Sequence, residues 1–301
     1  MLANTQLRPG TVTTALVTPF RDGRLDLVML ETLAERQIRS GIDGLAVCTV
    51  TGEGPTLSLT ERAAIISTCV RLAAGRVAVI AATGTNATSS TIALTHRAED
   101  LGADAALVTV PYYSKPGQKG IVQHFEQVAA ATLLPVLIDD DPSRCASGLS
   151  AESLAALAQV QGIVGVVHAT PNSSPVPAHL RRRFLSLSSD EAHALAFLAC
   201  GGDGMVSSGT NIQPRLFAAL YRLAKAGNMS AAAPLDACLQ PLIKVLSETG
   251  DPAPVKQALH VLLGMHPDVR LPLVGPDAAE KAALFDALTA LAESRTQAQA
   301  V

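Results

Sequence analysis

Between residues 139 and 144 the chain compresses three carboxylates and a guanidinium into six positions, Asp139-Asp140-Asp141-Pro142-Ser143-Arg144. Carboxylates this dense can transfer protons or hold a cation, and the arginine can clamp an anion with paired N–H groups. If the preceding strand continues, Asp139 and Asp141 share one face and Asp140 takes the other. A plainer reading has the aspartates in a solvated turn before Pro142, one capping backbone N–H groups and another pairing with Arg144. A second polar run, Thr49-Val50-Thr51-Gly52-Glu53, follows an apolar stretch and offers hydroxyls and turn amides suited to a carboxylate. Glu53 there reads first as a turn residue. The paired aromatics Tyr112-Tyr113 lie between Pro111 and Pro116 and read as a loop.

Covalent chemistry through an amine needs a lysine at a strand end. The chain has six lysines: Lys115, Lys119, Lys225, Lys244, Lys256 and Lys281. Lys115 sits in a loop, the last four fall in expected helices, and none ends a strand. A metal set of Asp139, Asp141, Glu53 and His168 would supply a Lewis acid instead. Strand parity turns His168 away from the others, so no metal is expected. No G-x-G-x-x-G fingerprint follows the first strand, which weakens the alternative of a doubly wound open sheet; no cofactor is expected. The five cysteines, Cys48, Cys69, Cys145, Cys200 and Cys238, are scattered and form no CxxC, which suits reduced thiols in a cytoplasmic protein. Cys48 ends a strand and reads as a small buried hydrophobe. Arg181-Arg182-Arg183 reads as a solvated helix end.

These residues need a scaffold. Apolar, β-branched runs recur every 20–35 residues at 12–17, 44–48, 77–82, 105–109, 136–138, 163–167, 184–187 and 204–207. Between them, as in 27–39, 59–74 and 88–101, apolar residues recur at three and four. Eight such units predict a closed (β/α)8 TIM barrel over residues 11–210. Residues 211–295 read as the last barrel helix and a C-terminal helical extension, with breaks at Gly227-Asn228, Gly250-Asp251-Pro252 and His266-Pro267. Residues 1–10 and 296–301 read as flexible tails. Hydrophobic residues make up 48% of the 301 and charged ones 16%, enough for a large core. The net charge of −3, without a basic stripe, argues against nucleic acid as a partner. No apolar run approaches a membrane span.

Several motifs, in order, carry a resemblance. They are Thr14-Ala15-Leu16-Val17-Thr18-Pro19-Phe20, Thr51-Gly52-Glu53-Gly54-Pro55-Thr56-Leu57, Pro111-Tyr112-Tyr113-Ser114-Lys115-Pro116, Asp140-Asp141-Pro142-Ser143-Arg144, Gly201-Gly202-Asp203-Gly204-Met205-Val206-Ser207 and Pro254-Val255-Lys256. Together they resemble the dihydrodipicolinate synthase and N-acetylneuraminate lyase family, pyruvate-dependent aldolases, from about residue 11 to 290. The resemblance implies a lyase whose sixth-strand lysine forms a Schiff base with a keto acid. It also implies a homotetramer or homodimer with Tyr113 reaching across an interface.

Carried over by position, the family's lysine falls on Val167, its fifth-strand tyrosine on Asp139 and its first turn threonine on Val50. Thr51, Gly52, Arg144 and Val206 match substrate-binding positions, and Tyr113 matches the relay tyrosine. Ser189 replaces a glycine and narrows the pocket. The synthases' lysine-feedback site is expected to be dismantled: Ser90, Leu59 and Arg62 stand at its key positions, and only Asn86 and Tyr112 persist. A valine has no lone pair and cannot form an imine. The expectation is therefore a synthase-like protein that forms no Schiff base with pyruvate but binds a small carboxylate or keto acid. Two alternatives stand beside it: a lyase or hydro-lyase working without an imine, with or without a metal, and a non-catalytic partner of an active paralogue.

Overall fold

A computed structural model describes residues 12–170, 175–181, 184–250 and 252–299. Eight parallel strands close into a barrel, each bonded to its sequence neighbours and the last to the first. They are β1 (Val12–Ala15), β2 (Gly44–Val47), β3 (Ala78–Ala82), β4 (Ala105–Thr109), β5 (Val136–Asp140), β6 (Ile163–His168), β7 (Leu185–Ser188) and β8 (Gly204–Ser207). The expected TIM barrel is the observed fold, with strand ends shifted by one or two residues. Two shifts matter for the site. β2 stops before Cys48, whose φ of 58° turns the chain out of the strand. β5 runs on to Asp140, two residues past its apolar run, because its backbone stays paired with β6. A two-stranded hairpin, Phe20–Arg21 with Arg24–Leu25, follows β1 and was not anticipated.

The strands are buried on both faces, as parallel barrel strands must be. Period-two alternation sends Ala15, Ala46, Ile80, Leu107, Leu137, Val167, Leu187 and Val206 into the barrel interior. The opposite faces pack on the surrounding helices in the larger core. Gly165 on β6 is required by this packing, since a Cβ there would lie 2.6 Å from the Cβ of Leu185.

The helices are α1 (Leu27–Arg39), α2 (Leu59–Ala73), α3 (Thr88–Asp100), α4 (Gln118–Ala131), α5 (Pro142–Cys145), α6 (Ala151–Leu157), α7 (Ala194–Ala199), α8 (Pro214–Lys225), α9 (Met229–Thr249), α10 (Ala253–Leu263) and α11 (Ala278–Gln299). Ser58 caps α2 by accepting from the Glu61 N–H, and the Glu61 carboxylate returns to the Ser58 N–H. α11 continues to Gln299, past the expected boundary at 295, because its Ala- and Gln-rich end contains nothing that stops a helix. Residues 1–10 lie outside the described part. Arg181 sits in a turn and donates to the carbonyl of Cys200 at 3.2 Å, so the expected helix end is absent there; Arg182 and Arg183 are outside the described residues. No helix among the described residues is long and apolar enough to cross a membrane.

The C-terminal extension is fastened to the barrel by a buried ion pair. Lys256 of α10 and Glu53, in the turn after β2, are both fully buried and hydrogen-bonded to each other. Lys256 Nζ also donates to the Asp268 carbonyl at 2.7 Å, and Glu53 Oε2 accepts from the Arg270 N–H at 2.8 Å. Arg270 Nη1 reaches Glu61 Oε2 at 2.9 Å and the Thr56 carbonyl at 3.2 Å. The hairpin's Phe20 ring lies under both cations, 4.3 Å from Lys256 Nζ and 4.1 Å from the Arg270 guanidinium carbon.

Candidate active site at the barrel mouth

At the carboxyl ends of the strands lies a cavity of about 270 Å³. Its floor is apolar: Ala15, Leu107, Val167 and Val206 close the barrel interior beneath it. Its wall is polar and comes from the loops: Thr49, Val50 and Thr51 after β2, Asp139, Asp141, Ser143 and Arg144 around the end of β5, Ser189 after β7 and Ser208 after β8.

The pleat of β5 decides what each aspartate does. Asp139 pairs in register with Thr109 on one side and Val167 on the other, and its side chain enters the cavity. Among the described residues, no donor is hydrogen-bonded to its carboxylate. Burial, reinforced by Asp141 and opposed by Arg144, pushes its pKa up to about 7. Asp140 points outward, is buried, and accepts the Leu149 N–H at 3.1 Å. Asp141 caps α5: its Oδ1 accepts the N–H groups of Ser143 at 3.0 Å and Arg144 at 3.2 Å. Its Oδ2 lies 3.1 Å from Arg144 Nε. The Arg144 guanidinium is thus partly committed to Asp141, while no contact to its two terminal nitrogens is present among the described residues.

The remaining expected site residues are placed as follows. Val167 is on β6 inside the barrel, 2% exposed, at the cavity floor. Val206 and Thr51 line the cavity. Gly52 does not. Its N–H donates to Thr49 Oγ1 at 3.3 Å and its carbonyl accepts Thr18 Oγ1 at 2.6 Å. A Cβ on Gly52 would stand 2.9 Å from the Leu16 carbonyl oxygen, so the glycine allows the turn to pack rather than touching a ligand. Tyr112 and Tyr113 do not line the cavity. Tyr113 is 89% exposed, with a φ of 67°.

His168 points away from the cavity as parity requires, and burial lowers its pKa to about 4. Glu53 is consumed by Lys256 and Arg270. The metal set Asp139, Asp141, Glu53 and His168 is therefore not assembled, and no group of three or more potential ligands occurs among the described residues. Burial raises the Cys48 thiol to about 12, which leaves it a packing residue. Arg62 bonds the carbonyls of Ala82 and Gly54 and so holds the β2 turn.

Two contributors escaped the sequence reading. Ser208 enters the wall from the turn after β8, where its neighbour Ser207 gave the only sequence signal. Lys256 was seen only as a helical lysine. Its burial depends on Glu53, 203 positions away.

A parallel (β/α)8 barrel with a polar cavity at its strand ends defines the class, an enzyme-type TIM barrel. The family model of the dihydrodipicolinate synthetase family matches residues 8–291. The 4-hydroxy-tetrahydrodipicolinate synthase of Hyphomonas neptunium is 41% identical over 287 residues, covering 94% of this chain and 98% of that protein. The dihydrodipicolinate synthase structure from Thermotoga maritima superposes with a TM-score of 0.91 at 32% identity, covering 94% of this chain and 98% of that one. The chloride-inhibited enzyme of Acinetobacter baumannii in complex with pyruvate gives 0.90 at 34%, covering 94% and 99%. The chain belongs to the dihydrodipicolinate synthetase family.

Proposed function

We propose that this chain is an imine-independent lyase, acting on a small carboxylate by proton transfer at Asp139. The observation that carries the reading is the carboxyl of Asp139, which enters the cavity, has no hydrogen-bond partner among the described residues, and is pushed by burial to a pKa of about 7. A group poised at the working pH can take and return a proton with little energetic penalty. The residues at the family's motif positions support the same reading. Val167 stands where the family's motif carries the Schiff-base lysine, and Val50 and Asp139 stand where it carries a threonine and a tyrosine. No lysine lines the cavity. Lys256 is bound to Glu53, Lys225 to Asp203, Lys119, Lys244 and Lys281 are on helices, and Lys115 is exposed in the loop after β4.

A carboxylate ligand is supported by Arg144, which lines the same cavity, and by the pyruvate in the Acinetobacter homologue. Ser189 and Ser208 add hydroxyls that can hold the rest of a small polar ligand. The bulky, exposed Tyr113, kept in a left-handed conformation, supports association of copies through this loop.

Two measurements test the reading. Borohydride reduction in the presence of pyruvate is expected to leave the mass of the protein unchanged; a stable adduct would overturn it. Deuterium wash-in from D2O, followed by NMR across small carboxylic acids, is expected for the acid that fits. Exchange should fall by about 100-fold or more in Asp139→Asn. Val167→Lys is expected not to restore pyruvate-dependent turnover, because Val50 and Asp139 remain.

A further inference from the structure

Asp139 enters the mouth beside a hydroxyl to which it is not bonded. Thr109 ends β4 and stands in register with Asp139 on β5. Parity gives the two the same face, since Leu107 and Leu137, two positions earlier on each strand, both point into the barrel. Neighbouring strands lie about 4.8 Å apart, so a hydroxyl at 109 is within rotamer reach of a carboxylate at 139. The Thr109 hydroxyl turns elsewhere. Its Oγ1 lies 3.3 Å from Sγ of Cys145 in α5 and 3.5 Å from the Val110 carbonyl. Its methyl group sits against Gly84, where a Cβ would stand 2.8 Å from Cγ2. Threonine is stiff at χ1, and here the thiol on one side and the glycine on the other select the rotamer. Cys145 is 1% exposed and packs in the larger core, which holds its sulfur in place.

We infer that Cys145 is a positioning residue for Asp139: by holding the Thr109 hydroxyl it keeps that donor away from the carboxylate in the mouth. A carboxylate that accepts a hydroxyl proton is stabilised in its ionised form, and one without a donor keeps its own proton more readily. That fits a carboxyl which burial, reinforced by Asp141 and Asp140 and opposed by Arg144, pushes up to about 7. The other groups around it leave the assignment intact. Asp140 faces outward onto the Leu149 N–H, His168 on β6 takes the outward face, and Val167, in register with Asp139, is uncharged. Burial raises the Cys145 thiol, which stays neutral beside these carboxylates. Neither Thr109 nor Cys145 lines the cavity, so the pair acts through Asp139 and not on a ligand. The inference rests on the proposed function in taking Asp139 as the proton-transfer group.

The test reads the Asp139 carboxyl itself. Its titration is followed by carbon NMR of protein labelled at the aspartate carboxyls, with no ligand present and with Asp139→Asn assigning the signal. Cys145→Ala releases the Thr109 hydroxyl, and the midpoint is expected to fall by at least about one pH unit. Cys145→Val, which fills the space without bonding the hydroxyl, should reproduce the fall. Cys145→Ser keeps a hydrogen-bonding atom at the position and should hold the midpoint near that of wild type. Thr109→Val should also leave it there, and adding Thr109→Val to Cys145→Ala should cancel the fall. Circular dichroism confirms an intact barrel in each variant. An unchanged midpoint in Cys145→Ala and Cys145→Val would overturn the inference. So would a fall that persists with Thr109→Val, because water entering the gap, and not the hydroxyl, would then be its cause. The two readings fail separately. A shifted midpoint without proton exchange on any acid would remove the lyase and keep the positioning role. Asp139-dependent exchange with an unshifted midpoint would do the reverse.

Discussion

Two carboxylates, Glu53 fully buried and Asp139 half-buried, separate the structural from the candidate functional side of this barrel. Glu53, in the turn after β2, accepts from Lys256 and from the Arg270 N–H, and the cation beside it is in turn bonded to the Asp268 carbonyl. Asp139, at the end of β5, accepts nothing among the described residues and shares its cavity with another carboxylate. The fold neutralises the first charge internally and, among the described residues, leaves the second without a hydrogen-bond donor. Both carboxylates follow directly from strands of the same barrel. The difference is topological: the C-terminal helices close over the outside of the β2 turn, whereas Asp139 lines the cavity at the mouth. An acidic residue beside a barrel strand therefore carries functional meaning only once it is known what else the chain brings to it.

The comparison can be broken most decisively at Lys256. Lys256→Met leaves Glu53 buried without its cation, and the expected loss is about 3–5 kcal/mol, read from chemical denaturation. Adding Glu53→Gln should recover part of it, because the two changes act on one interaction. A loss below roughly 1 kcal/mol would show that the pair is not the fastening described here.

Asp139→Asn should act in the opposite direction. The folded pKa is raised from 3.8 to about 7, so the folded protein holds the proton more tightly than the unfolded chain. Ionisation then disfavours the folded state, increasingly as pH climbs from about 4 to about 7. The amide should thus stabilise by on the order of 2 kcal/mol at pH 8, discounted for the water that reaches the cavity, and give no gain at pH 4. Destabilisation at pH 8 would mean that Asp139 has a protein cation as partner.

Smaller effects sharpen the contrast. The Arg270 guanidinium holds Glu61 well below the usual carboxylate range, at about 2. Because this folded pKa is depressed, the contribution is complete above the ordinary value of 4.5 and disappears as pH falls toward 2. Arg270→Lys should cost about 1 kcal/mol at pH 7, with the difference from wild type vanishing in acid melts. Arg144→Ala removes a pair that is half open to solvent. It should change the unfolding free energy by less than about 0.5 kcal/mol, whatever it does to ligand binding. A larger cost would make the Asp141–Arg144 pair a structural element rather than a site in waiting.

Much of the scaffold was legible along the chain. Short β-branched runs alternating with helical periods specified eight βα units, and the Gly and Pro breaks after residue 213 marked the extra helices. Parity within β5 separated Asp139 and Asp141 from Asp140, and parity within β6 turned His168 outward. What failed was local in a different sense. The β-hairpin at Phe20–Leu25 is too short to show a period. Gly52 was placed among the substrate-binding positions by the resemblance, and in the structure its amide donates within the turn. Lys256 stood out only as part of the Pro254-Val255-Lys256 motif, since nothing near it in sequence says that Glu53 will meet it.

The sequence by itself determined the barrel and the chemistry that each mouth position can offer, because side-chain type and strand parity are local properties. Val167 is a valine and Asp139 a carboxylic acid in any fold. The tertiary structure alone decided which charges are neutralised. Pairing Lys256 with Glu53, and leaving Asp139 above an apolar floor, depends on which distant segments close the barrel and which leave it open. Desolvation and charge pairing act through space, and they set the stability of one carboxylate and the reactivity of the other.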